Sequence, residues 1–199
     1  MGQGSYVICE WDSIQETFPQ YEAAVRKLDS DIISKCEAEW APKKIGYLTP
    51  DANEFGRTTI LPALFRGFNT LQMAHWRQNL TLTGHQLLIY GAGSGATLAE
   101  DFKVGWMGLA FPNKQQLISE IRWQLGDRKY GRINIEEIER YNKPALVFEE
   151  GFIIDEETSF DLYGYVKTAD YQRIVMLGAA YFKFIDKVLG LPGAVIPSP

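Results

Sequence analysis

The apolar run Leu87-Leu88-Ile89-Tyr90 opens directly into Gly91-Ala92-Gly93-Ser94-Gly95-Ala96-Thr97, and the residues after this loop decide between two architectures. A strand, a G-x-G-x-x-A loop and then a helix form the phosphate cradle of a doubly wound α/β domain. The glycines let the backbone approach a pyrophosphate, and the helix N–H groups face it. Here a helix would have only residues 97–103 before Gly105 and Gly108 interrupt it. About 20 residues on, where an acidic side chain would hold a ribose, stand Phe111, Pro112 and Asn113. No Walker lysine is present after the loop. The loop therefore reads as a glycine-rich connection between strands. In an alternative reading, a small enzyme or binding protein uses Gly91, Gly93, Gly95 and Thr97 for a phosphate-bearing ligand.

Regular elements are expected on both sides of it. The positions Ile14, Phe18, Tyr21, Val25, Leu28 and Ile32 step by four and three, continued by Cys36 and Trp40, and predict a helix over 18–40 ended by Pro42. Asn113 with Gln116 makes a capping box, and Leu117, Ile118, Ile121 and Leu125 form a stripe, predicting a helix over 113–126 stopped by Gly126. Asn134 with Glu137 repeats the box for a short helix. Tyr171, Ile174, Gly178, Tyr181, Ile185 and Val188 predict a helix over 168–190, apolar nearly all round. A weaker helix is read over 70–80. Strands are expected at 5–11, 82–90 and 159–167, the last with Phe160, Leu162 and Gly164 facing one way and Asp161, Tyr163 and Tyr165 the other. Residues 145–149 and 152–155 read as a hairpin around Glu150-Gly151. Residues 41–68, punctuated by prolines and glycines, read as an irregular segment.

Together these predict a single α+β domain over 1–190: a mixed or antiparallel sheet, three main helices and extended termini. The tail 191–199 is apolar and carries three prolines. A free tail is normally polar. Leu191, Pro192, Val195, Ile196 and Pro197 are therefore expected to contact a partner. The chain has 199 residues, long enough for a substantial core.

Several function classes are argued against. A net charge of −5 does not suit a general nucleic-acid binder. The order of elements expected over 113–155 resembles a winged helix, but its second helix would be acidic. Cys9, Cys36, His75 and His85 lack zinc-motif spacing. Glu149, Glu150, Asp155, Glu156 and Glu157 lack an EF-hand register. Expected metals and cofactors are accordingly none, and no catalytic set is assigned. No signal peptide or membrane-length apolar run is seen, so a cytoplasmic or virion location is expected. Residues 114–132 carry a surplus of three positive charges and residues 133–161 of seven negative ones, a pattern suited to head-to-tail association. With 5 Trp, 10 Tyr and 11 Phe, the chain is rich in interface-forming residues. The sequence thus points to a non-enzymatic structural subunit, a homo-oligomer with other protein partners, in a setting such as a phage neck, tail or baseplate.

Overall fold

The computed structural model describes residues 6–9, 19–40, 55–112, 116–136, 138, 145–185 and 188–189. In chain order the elements are β1 (Tyr6–Cys9), α1 (Pro19–Trp40), β2 (Phe55–Thr59), β3 (Phe65–Gly67), β4 (Arg77–Leu80), β5 (Gly84–Gly91), β6 (Phe102–Ala110) and β7 (Ile118–Leu125). They continue with β8 (Arg128–Lys129), β9 (Ile133–Asn134), β10 (Ala145–Ile154), β11 (Phe160–Val166), β12 (Asp170–Arg173), β13 (Val175–Ile185) and β14 (Val188–Leu189). The fold is β-rich, with one long helix among the described residues. This corrects the expected α+β arrangement with three main helices.

Two six-stranded antiparallel sheets carry the architecture. The central sheet runs β1-β10-β6-β13-β14, with β2 also on β13. The outer sheet runs β3-β5-β11-β7-β8, with β9 also on β7. A small ribbon pairs β4 with β12. The two sheets close on one core in which Trp106 of β6 is fully buried. Its ring meets Phe148, Phe160 and Trp123 edge-on at centroid distances of 4.9, 5.2 and 5.3 Å. Edge-to-face contacts of this kind align the positive ring edge with a negative ring face.

The opposite face of the central sheet is covered by α1. The expected seam is the one buried, with Tyr21, Leu28, Ile32, Cys36 and Trp40 packing on Met107, Ala145, Val147, Leu177, Ala179 and Tyr181. Two glycines make room for it. A Cβ on Gly105 would lie 2.5 Å from Ile32 Cδ1, and one on Gly151 would strike Leu28 Cδ2. The helix therefore sits directly on backbone.

That cover explains the wrong helix over 168–190. In β13, Met176 and Ala180 enter the sandwich core while Leu177, Ala179 and Tyr181 pack under α1. A strand buried on both faces is apolar at nearly every position, as is a helix buried all round. The predicted helix over 113–126 fails for another reason. Tyr165 pairs with Glu120 but Val166 with Ile118, so a bulge falls at Ser119. The bulge turns period-two burial into the helix-like interval between Ile118 and Ile121, both buried.

Smaller differences have similar causes. The expected hairpin around Glu150-Gly151 is one continuous strand. Val147 pairs with Gly108 and Phe152 with Trp106, so Glu149 and Glu150 ride out on a wide bulge. The weak helix over 70–80 gives way to β4. The irregular segment holds β2 and β3, while its part over 41–54 lies outside the described residues, as does the tail 191–199. Strands β1, β5 and β11 match expectation, and Asn134 Oδ1 accepts from the Glu136 N–H where a short helical turn begins.

The glycine seat can be tested by a mutant cycle. Gly105→Ala is expected to cost about 1–3 kcal/mol by overpacking and Ile32→Ala about 2–5 kcal/mol. In urea denaturation the double variant should lose less than the sum by more than about 0.5 kcal/mol, because the two changes share one contact.

Candidate functional site

The 91–97 loop is closed on itself. Gly91 pairs with Phe65, the Ala92 N–H donates to Leu64 O, and the Gly93 N–H donates to Thr97 O at 2.8 Å. Thr97 Oγ1 donates to Ser94 O, also at 2.8 Å. Gly95 and Ala96 take left-handed φ values of 70° and 62°, and the chain then leaves into β6, a strand. The amides of Ala92 and Gly93 are thus already used, and only a single 3-10 turn over Ser94–Ala96, broken at Gly95, follows them rather than an α-helix.

His75 lies in the loop before β4, and His85 projects from β5. Cys36 is buried under α1, and the side chain of Cys9 lies outside the described residues. Among the described residues, no group of three or more His, Cys, Asp or Glu is arranged to hold a metal ion. Among them, too, no helix is long and apolar enough to cross a membrane.

A charged cluster that sequence reasoning missed lies at the C-terminal end of α1. Lys103 of β6 has a fully buried side chain. Its Nζ reaches Glu39 Oε2 at 2.6 Å, Asp155 Oδ1 at 3.3 Å and Glu156 Oε1 at 3.7 Å, and lies 5.0 Å from the Trp40 ring centre. Lys35 Nζ holds the other Asp155 oxygen at 2.6 Å, and Trp40 Nε1 donates to Glu156 at 3.0 Å. Burial alone would lower the Lys103 ammonium, but the hydrogen bond to Glu39 and three carboxylates raise it. Burial likewise opposes the Asp155 carboxylate, yet Lys35 and Lys103 hold it below its ordinary value. Burial pushes the neighbouring Cys36 thiol up to about 12. A lysine kept charged and a thiol kept protonated are poor nucleophiles. The cluster pins the end of α1 to β6 and to residues 155–156. A second clamp ties the middle of α1: the Tyr181 hydroxyl donates to Asp29 at 2.7 Å while Arg57 donates to both.

The outer sheet presents a different surface. Its inner face is core, but among the described residues no element covers its other face. Three rows of side chains cross β5, β11 and β7 there: His85-Tyr165-Glu120, Leu87-Tyr163-Arg122 and Tyr90-Asp161-Gln124. His85 stacks edge-on against Tyr165 at 5.1 Å, and its Nδ1 lies 3.5 Å from Glu120, which also takes Arg132 at 3.3 Å. Arg122 lies over the Tyr163 ring at 5.1 Å, and Tyr163 bonds Asp161. Tyr165 remains 41% exposed, too much for a core residue. The alternation of 159–167 had already placed Asp161, Tyr163 and Tyr165 together. It could not bring β5 and β7 alongside them.

At the edge of this face, where β7 turns through Gly126 into β8 and returns as β9, is a cavity of about 380 Å³. Arg122, Lys129 and Arg132 line it with Trp123, Tyr130 and Tyr163. Arg122, Lys129 and Arg132 of the basic block noted in the sequence thus meet here, while Asp155 and Glu156 of the acidic block are engaged with Lys35 and Lys103. No family model, curated protein or solved structure matches this chain.

The charged cluster carries three expectations. Folded Asp155 binds its proton less tightly than unfolded Asp155, so its stabilisation is complete above about pH 4 and lost as pH falls through the lower folded value. Asp155→Asn should flatten that acid limb in thermal melts across pH, and Lys103→Met should cost on the order of 3 kcal/mol at neutral pH. Iodoacetamide should leave Cys36 unmodified in native protein and label it at the rate of unfolding, as mass spectrometry of the peptide would show.

Proposed function

We propose that this chain is a non-enzymatic structural subunit of a multi-protein assembly, of the kind that builds a phage neck, tail or baseplate. Its contact surface is the open face of the outer sheet. The observation that carries this reading is the difference between the two sheets. The inner strands β6 and β13 of the central sheet are buried on both faces, whereas the outer sheet leaves Tyr90, Tyr163, Tyr165, His85 and Leu87 in a partly exposed array. Tyrosine and arginine supply large contact area with few rotatable bonds and are enriched where proteins meet. The acids on this face, Glu120 and Asp161, already have partners within it, so a partner meets few uncompensated charges.

A second copy is the occupant that charge favours. Glu149 and Glu150 are exposed on the β10 bulge, and Arg122, Lys129 and Arg132 gather at the edge of the open face. Joining two different surfaces gives a heterologous contact, which closes into rings or extends into arrays. Light-scattering mass should exceed the monomer value and fall as salt rises. Tyr165→Ser with Tyr90→Ser should weaken association about tenfold or more while leaving the cooperative melt intact. A monomer at every concentration, in low and moderate salt, would overturn self-association.

A further inference from the structure

Beside the cavity between β7 and the β8–β9 return, two buried donors have no acceptor among the described residues. Trp123 is 3% exposed, and its indole Nε1 is buried without a hydrogen-bond partner among the described residues. The Nε of neighbouring Arg122 is also buried and unpartnered. Leaving a buried donor unsatisfied costs about 1–3 kcal/mol, more when the group is charged. Such groups in a native fold call for an explanation. Both residues line the same cavity, and the other side chains there are cationic, aromatic or, at Gln124, a neutral amide. Lys129 and Arg132 add positive charge, Tyr130 stacks on Trp123 at 5.2 Å with the rings 15° apart, and Tyr163 lies under Arg122. No carboxylate lines the cavity. Glu120 sits 3.3 Å from Arg132, whereas Arg122 and Lys129 form no salt bridge among the described residues.

We propose that this cavity is an oxyanion site, taking a carboxylate or phosphate carried on a flat apolar body. A guanidinium offers paired donors matched to either group. The aromatic walls accept a ring or an aliphatic stem. The cavity is within the range of small-ligand sites, about 300–1,000 Å³. The oxyanion has two sources: a free small molecule, or Glu149 or Glu150 of a second copy. This proposal adjoins the contact-face reading but does not require that subunits associate.

The experiment follows the indole N–H signal of Trp123 by NMR, assigned by its loss in Trp123→Phe. Benzoate, phenyl phosphate and uncharged benzyl alcohol are titrated into the wild-type chain and into Glu149→Gln/Glu150→Gln. Benzoate or phenyl phosphate should move the signal and benzyl alcohol should not. Arg122→Gln should weaken the effect about tenfold and the exposed Lys129→Gln by less. Equal response in both backgrounds identifies a free ligand. Binding that strengthens in the glutamine variant, with loss of self-association there, identifies the second copy's glutamates. The proposal is overturned if neither anion shifts the signal in either background, if benzyl alcohol shifts it equally, or if Arg122→Gln and Lys129→Gln change nothing. Because the signal is read in associated and monomeric protein alike, a monomeric chain would sink the assembly reading without touching this one.

Discussion

Backbone contact between α1 and the central sheet is the constraint on which the rest depends. Gly105 and Gly151 remove the side chains that would hold the helix away, so Ile32 and Leu28 reach the strands directly. Each side chain so buried contributes roughly 1.5–3 kcal/mol. The larger consequence is topological. With α1 on one face and the outer sheet on the other, β6 is buried at eight of its nine positions. A strand in that position tolerates a charged residue only if the charge is answered locally. Lys103, answered by Glu39, Asp155 and Glu156, is the case found.

This arrangement separates scaffold from surface. The polar groups near α1 are used internally: Lys103 and Lys35 at its C-terminal end, and Asp29, Arg57 and Tyr181 midway. Burial pushes Tyr181 up to about 12, as it does Cys36, so both stay neutral and hold position rather than exchange protons. The outer sheet has no such cover among the described residues, and its aromatic and cationic side chains pair with one another and with Glu120 and Asp161 on the same face. Partly satisfied, partly exposed groups of this type retain capacity for an incoming surface or ligand.

Bulges matter as much as strands here. Ser119 shifts the phase of β7, Met107 that of β6, and residues 148–151 that of β10. Each bulge re-aims side chains that regular alternation would place elsewhere. The bulge in β10 pushes Glu149 and Glu150 into solvent while bringing Phe148 and Phe152 together at 5.1 Å in the core. Exposed acids and a packed aromatic pair thus arise from one local irregularity.

The sequence by itself determined what depends on near neighbours along the chain. The a/d-like seam of α1 and the clean alternation of β11 result from spacing alone, because each has one face buried and one solvated. So does the strand into the 91–97 loop, whose glycines suit its left-handed turn at Gly95. Tertiary structure alone decided the rest. Cover on two faces gave β13 the composition of a buried helix, and the bulge in β7 gave its stripe a helical interval. The open face was half legible: β11 placed Tyr163 and Tyr165 together, but pairing with β5 and β7 brought His85 and Arg122 beside them. Lys103 stands two residues after Asp101, but that carboxylate lies by Lys183 instead. The carboxylates that answer Lys103 come from residues 39, 155 and 156, and long-range packing alone sets those distances.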